Sequence, residues 1–309
     1  MWCFRNLNPG NIFINVVAIT LSLLLPGYGK STTTDEALKM AKQSILCFQE
    51  SYPKRELLSV DELVGTINQW KSKLAKEIGL QDNTKTLDQN AIHTLLAAAR
   101  SEGGVIFMRH GEQQMSPWVE KLPSKAEQKI AMMRQKENMA NPVTPISVVE
   151  AYSMILALEY VSRLTNTSWI VETSGNNRAA QIAELLAVAL STKAQHSSRW
   201  DCINYPDEDF ITTDELLAIL PEGTLPWEKG LVDQVIGKGA FDRIHWQVRE
   251  AIEGISTSKL TVFVTHTQQI SAAADQYNQP VQRLSNYGFV LIPGSKKLHP
   301  MTFEKGLFR

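Results

Sequence analysis

Apolar residues change their spacing along the chain near residue 103. Before that point they recur at helical intervals, as in the stretch that follows Ser59. Residues 59–62 form a capping box, in which a hydroxyl is followed three residues later by a carboxylate, and residues 86–89 form a second one that ends in the amide Gln89. The glycine pair at 103–104 ends the second of these patterns. The sequence therefore predicts helices over residues 35–100.

Short apolar runs alternate with longer helical patterns in the rest of the chain. The runs, each a candidate strand, lie at 105–108, 169–171, 260–264 and 287–292, and helical patterns occupy 148–164 and 179–190. Strands that alternate with helices favour a mainly parallel sheet covered by helices on both faces. We predict an α/β fold, a three-layer sandwich with a largely parallel central sheet, preceded by a small helical segment.

The N-terminus has a different character from the remainder. Residues 1–29 contain a single charged side chain, Arg5, and residues 12–25 are apolar except at three positions. This run is too short for a comfortable membrane span and is typical of a signal-peptide core, with small residues at its end. The pattern predicts cleavage after Gly29, a periplasmic or secreted protein, and no stable membrane span in the mature form. An uncleaved N-terminal anchor is the alternative.

These patterns divide the chain into three parts. They are a signal peptide over 1–29, a helical segment over 30–102 and the predicted α/β domain over 103–309. Loss of the leader would leave two cysteines, Cys47 and Cys202, which form either one disulfide or two buried thiols.

Overall composition narrows the classes of function. Of the 309 residues, 43% are hydrophobic and 20% are charged, which is ordinary for a globular protein and not for a disordered one. The formal net charge of -1 lacks the basic surplus of a nucleic-acid binder.

Three of the predicted strands run directly into polar residues. The first is followed by Arg109-His110-Gly111-Glu112, the second by residues 172–178 with Arg178, and the third by Thr265-His266. The carboxyl ends of parallel strands share one edge of a sheet, where ligands bind in open α/β folds. We therefore expect the two arginines and two histidines to converge.

This combination of side chains suits a phosphate group. The planar guanidinium of arginine matches two phosphate oxygens at once, and a helix start near Arg178 would add backbone N–H donors. A neutral histidine can attack phosphorus and carry the phosphoryl group covalently.

The segment Arg109-His110-Gly111-Glu112 resembles the signature of the histidine phosphatase superfamily, which includes phosphoglycerate mutases and many phosphatases. The resemblance extends over residues 103–295 and includes Thr173-Ser174, Arg178, Gln181 and the strand that ends in His266. The exported N-terminus is also similar to that of bacterial periplasmic members, such as the lipopolysaccharide core heptose phosphatases.

The resemblance implies a phosphomonoester hydrolase with His110 as the nucleophile. Arg109, Arg178 and His266 would bind the phosphoryl oxygens, and no metal or cofactor is required. The substrate would be a phosphorylated small molecule or a phosphoprotein. Two alternatives are a non-catalytic phosphate-recognition protein that retains the pocket, and a phosphomutase.

Two features depart from the family pattern or stay open. Thr267 stands where many members have glycine, and the residues around 207–209 do not match the family's motif for the acidic proton donor. Among residues 207–209 we expect Asp207 to protonate the leaving group, from its position alone.

The lysine-rich stretch 119–139 is either a solvated amphipathic helix or a mobile cover over an anionic substrate.

Overall fold

A computed structural model describes most of the chain between residues 32 and 301. The described ranges are 32–52, 58–80, 89–101, 103–165, 167–202, 204–206, 208–220, 229–255, 259–278, 289–293 and 299–301. The predicted leader, residues 86–88 of the second capping box and Asp207 lie outside them.

Helices and strands alternate through the described part. The helices are α1 Thr34–Ser51, α2 Val60–Ile78, α3 Gln89–Ser101, α4 Lys125–Met133, α5 Gln135–Ala140, α6 Pro145–Thr165, α7 Asn177–Ala189, α8 Thr213–Ile219, α9 Lys229–Ile236, α10 Ala240–Glu253 and α11 Thr267–Asp275. The strands are β1 Gly104–Arg109, β2 Ser168–Thr173, β3 Ala194–His196, β4 Lys259–Thr265, β5 Phe289–Pro293 and β6 His299–Met301. Short 3-10 helices span Val119–Lys121 and Ser198–Trp200.

The strands form one six-stranded sheet in the order β3-β2-β4-β1-β5-β6. Strands β3, β2, β4 and β1 are mutually parallel, so their carboxyl ends share one edge. Strand β5 runs antiparallel to β1, and β6 antiparallel to β5. The two central strands are thus β4 and β1, and β4 is contributed by a late part of the chain.

Alternate residues of β1 enter two different hydrophobic cores, as the two-residue period of a strand requires. Ile106 and Met108 pack in the core formed with α6 and α7. Val105 and Phe107 pack on the opposite face with α10, α11 and the buried Trp200. Helices therefore cover both faces, and the predicted α/β sandwich with a largely parallel sheet is confirmed.

The N-terminal helices cover α6, which is buried almost throughout. Ile45 and Phe48 of α1 belong to the same hydrophobic core as the sheet residues Ile106 and Val262. A hydrogen bond of 2.6 Å joins Ser44 Oγ to the Tyr152 hydroxyl across this interface. The helical segment thus shares its core with the sheet, and the division at residue 102 stays a prediction.

Several local expectations are confirmed. Ser59 caps α2 in a reciprocal capping box with Glu62, which satisfies two backbone N–H groups at the helix start. The fourth predicted strand lies at 289–293 and is antiparallel, so the sheet is parallel only over its first four strands. Within the described ranges, no helix is both long and apolar enough to cross a membrane.

Candidate active site

Main-chain hydrogen bonds bring three strand ends together. Just beyond β1, the His110 N–H donates to the Thr265 carbonyl at 3.0 Å. Just beyond β2, the Ser174 N–H donates to the Val264 carbonyl at 3.2 Å. Both flanking strands are therefore held to the end of β4, directly before His266. This arrangement places residues that are distant in sequence in one crevice at the carboxyl edge of the sheet.

His110 is buried at the centre of this crevice. Its ring centroid lies 4.6 Å from that of His266, with the two planes inclined by 59°. His110 Nδ1 contacts the carbonyl of Gly111. Because a carbonyl only accepts, we assign the ring proton to Nδ1, which leaves Nε2 with an electron pair. Nε2 is the nitrogen that can attack an electrophile.

Arg178 reaches His110 from the start of α7. Its Nε lies 3.1 Å from His110 Nδ1 and 3.2 Å from His110 Nε2. Its Nη1 donates to the main-chain carbonyl of Asn138. Burial, together with the positive charge of Arg109, lowers the pKa of Arg178 to about 10. The guanidinium is therefore still charged at neutral pH and is held mainly by neutral acceptors.

His266 lies at the residue that precedes α11, with 2% of its surface exposed. Its Nε2 lies 2.9 Å from Ser174 Oγ. Its Nδ1 is buried and has no hydrogen-bond partner among the described residues. The helix start supplies further backbone N–H groups beside the ring, an arrangement that favours an anion. His266 is thus fixed through one nitrogen while the other remains available to a ligand.

Both histidines are held in the neutral form. Burial lowers the pKa of His110 well below its ordinary value, and the charges of Arg178, His266 and Arg109 act in the same direction. Burial, Arg178 and Arg109 likewise lower the pKa of His266. A neutral imidazole next to a charged guanidinium combines a nucleophile with an oxyanion ligand.

Two predicted site residues remain, Arg109 and Asp207. Arg109 is the last residue of β1, and its charge acts on both histidines and on Arg178. Asp207 lies outside the described ranges. Its neighbour Glu208 accepts hydrogen bonds from Arg134, at 2.8 Å, and from the N–H of Thr213, the first residue of α8, whose N-cap is Thr212. The structure thus brings together four of the five predicted residues.

Two further observations concern the residues around the site. Cys202 is a buried thiol that donates to Gln268 Oε1 at 3.2 Å, whereas Cys47 is disulfide-bonded, so neither the pairing of these two cysteines nor two buried thiols is found. Among the described residues, no group of three or more histidine, cysteine or acidic side chains is arranged to hold a metal ion.

A set of buried polar residues surrounds the crevice that sequence reasoning did not single out for chemistry. They are Asn138, Ser174, Asn176, Cys202 and Gln268. Asn176 precedes a helix, a position that favours asparagine, and this signal was available in the sequence. Asn138 lies inside the lysine-rich stretch, and nothing in its local pattern distinguishes it from a solvated residue.

Comparison with known proteins finds similarity at the level of solved structures. No protein-family model matches the chain, and no curated protein matches it. A mycobacterial glucosyl-3-phosphoglycerate phosphatase is 14% identical with a TM-score of 0.44, covering 65% of this chain and 99% of its own. A putative α-ribazole-5′-P phosphatase from Escherichia coli is 12% identical with a TM-score of 0.44, covering 66% of this chain and 97% of its own.

A third similar structure is that of an open reading frame from Mycobacterium tuberculosis. It is 16% identical with a TM-score of 0.44, and the match covers 65% of this chain and 98% of that one. Identities and TM-scores this low do not assign an activity. The chemistry of this chain has to follow from its own residues.

Proposed function

We propose that the chain is a phosphomonoester hydrolase that works through a covalent phosphohistidine on His110. One observation carries the proposal: the ring of the buried His110 lies within 3.2 Å of the Arg178 guanidinium, while its Nδ1 contacts the Gly111 carbonyl. The histidine supplies an electron pair, and the arginine supplies the charge that an attacked phosphoryl group needs.

The proposed reaction has two displacements. In the first, the Nε2 electron pair of His110 forms a bond to phosphorus while the bond to the ester oxygen breaks. The ring then carries a positive charge, which the Gly111 carbonyl stabilises through the Nδ1 proton. In the second, water attacks phosphorus, the N–P bond breaks and its electrons return to Nε2, while the proton that the water loses returns to the carboxylate that protonated the leaving group. The products are the alcohol, inorganic phosphate and the unmodified enzyme.

Arg178, His266 and Arg109 are proposed to hold the phosphoryl oxygens through both steps. With the Ser174 hydroxyl donating to Nε2, the ring proton of neutral His266 is on the unpartnered Nδ1, from which it is proposed to bind a phosphoryl oxygen. Charge that builds on these oxygens in the transition state would meet two guanidinium groups and the adjacent helix start.

Asp207 remains the proposed proton donor to the leaving alkoxide. Its support is its position and the fact that Glu208 is committed to Arg134 and to the start of α8. Loss of the donor should slow an alkyl phosphate far more than a nitrophenyl phosphate, whose leaving group needs little protonation. If Asp207→Asn slows both substrates equally, the donor role belongs to another group.

We further propose membership of the histidine phosphatase superfamily, close to its periplasmic members, and export of the chain. The order of the three motifs, ending at Arg109-His110, Arg178 and His266, supports the first point. The apolar run at 12–25 supports the second. N-terminal sequencing of the native protein tests export, which predicts that residues 1–29 are absent.

The decisive experiment is rapid quenching with a ³²P-labelled phosphate monoester. The wild-type chain should acquire acid-labile, alkali-stable label on His110, and His110→Ala should abolish both label and turnover. His93→Ala is the matched control, because His93 is exposed on α3. Binding of phosphate without label or turnover would identify a recognition protein, and an isomerised product would identify a mutase.

A further inference from the structure

The position of the Arg178 guanidinium depends on a segment of the chain that does not follow any strand. Its Nη1 donates to the main-chain carbonyl of Asn138, within α5. Asn176 Nδ2 donates to the same carbonyl at 2.8 Å. This single oxygen therefore holds the guanidinium and the residue that precedes α7. A shift of the carbonyl would move the positive charge that faces His110.

The position of that carbonyl is set by the side chain of the same residue. Asn138 has no exposed surface, and its Nδ2 donates to Asn204 Oδ1 at 2.6 Å. Short α5 has only two turns, which alone would fix its main chain weakly. A buried side-chain bond to another segment supplies the constraint that the helix lacks.

Further hydrogen bonds join the segment around α5 to residues 205–211. Arg134, which precedes α5, donates to the carbonyls of Pro206 and Ile211. The Tyr205 N–H donates to the Met133 carbonyl at 2.9 Å. The bond between Asn138 and Asn204 is the member of this series that adjoins Arg178.

We propose that Asn138 and Asn204 form a positioning pair that fixes the Arg178 guanidinium for oxyanion binding. The proposal assigns a function to the 119–139 stretch that is neither a solvated helix nor a mobile cover. It rests on the proposed phosphatase function for its kinetic consequences and on the described contacts alone for its effect on anion affinity.

Vanadate binding, measured by calorimetry on the full chain, provides the test. Asn138→Ala and Asn204→Ala should each weaken vanadate binding about tenfold, since each misplaces a hydrogen-bonding charge. Their double variant should be no weaker than the weaker single variant, because both break one link. A matching fall in kcat/KM is expected wherever turnover is measurable.

Asn141→Ala is the matched control. Asn141 is a buried asparagine three residues further along, but it bonds to Ser116 and Glu137 rather than to the site. It should lower the thermal midpoint while leaving vanadate affinity unchanged. A purely structural role for Asn138 predicts that the two variants behave alike.

Several outcomes separate this proposal from the function on which it rests. Wild-type affinity in Asn138→Ala, or losses that multiply in the double variant, would overturn the positioning pair. If Asn138→Ala does not fold, Asn204→Ala alone decides, with the same tenfold criterion. Vanadate binding without turnover in the wild-type chain would contradict the phosphatase and leave the pair testable by affinity. Absence of any vanadate binding would overturn both.

Discussion

Ser174 Oγ and His266 Nε2 are joined by a hydrogen bond of 2.9 Å in a buried setting. The two residues follow different strands, β2 and β4, whose ends are also linked through the main chain. The hydroxyl fixes the plane of the imidazole ring and reserves its Nδ1 for a ligand.

Ser174→Ala should therefore impair the site without impairing the fold. We expect kcat/KM for a phosphate monoester to fall by roughly tenfold, the scale of one hydrogen bond to a catalytic group. Ser153→Ala is the control, since Ser153 is also buried but lies within α6. Equal kinetics in the two variants would show that the Ser174 hydroxyl does not orient His266.

The pKa of His110 should be directly visible by NMR. Because burial and Arg178 lower that pKa well below 6.5, the ¹⁵N shifts of the ring should remain those of a neutral imidazole at pH 6. Arg178→Met should raise the pKa, although burial would still keep it low. The contribution of neutral His110 to the free energy of unfolding is therefore present above about pH 6.5 and is lost at lower pH. Ordinary titration near pH 6.5 in the wild-type chain would contradict this.

The main features of the site could be predicted from sequence because they depend on strand ends. A strand that terminates in Arg109-His110 and another that terminates in His266 must meet if both belong to one parallel sheet. The fold class follows from the same alternation of short apolar runs and helices. These inferences use only the period of the pattern and the shared edge of a parallel sheet.

The contribution of Asn138 could not be predicted in the same way. It acts through a main-chain carbonyl, which every residue possesses, and its side chain bonds to Asn204 across 66 positions of sequence. Neither property can be recognised from the sequence around Asn138. Arg134 shows the same difficulty, because it looked like part of a solvated basic run and is in fact buried beside Glu208.

Glu159 should make stability depend on pH in the opposite direction to the histidines. Burial raises the pKa of this carboxyl to about 7, although Arg163 opposes the shift. Its stabilising contribution is complete below about pH 4.5 and is lost as pH rises to about 7, by at most about 3 kcal/mol. Denaturant unfolding of Glu159→Gln should show less loss over this window than the wild type. Glu184→Gln, in an exposed pair with Lys42, should behave as the wild type.

Gly175 should resist substitution because of its neighbours. A Cβ atom there would lie 2.7 Å from His196 Nε2 and 3.3 Å from Asp201 Oδ1, which already accepts the Gly175 N–H. Because the exposed His196 ring can turn away, Gly175→Ala should lower activity and the thermal midpoint only modestly, and adding His196→Ala should restore part of each.

Gly65→Ala is the comparison for that variant. Gly65 is inside α2, and no atom from outside its own stretch of helix lies within 4 Å of the position that a Cβ would take there. Alanine should stabilise a helix interior by roughly 0.5–1 kcal/mol. If Gly175→Ala is as active and as stable as Gly65→Ala, the side chains around residue 175 adapt to the added methyl group without loss of stability.

The central place of β4 has a consequence for biosynthesis. Strands β1 and β2 each pair with β4 and not with one another. During synthesis, about 85 residues must follow β2 before β4 emerges, as its position at Lys259–Thr265 dictates. Until then both edges of β1 and the edge of β2 that pairs with β4 are unpaired, and such edges are templates for association with other chains. Factors that hold nascent chains apart should therefore matter most for this protein in the interval before residue 259 appears.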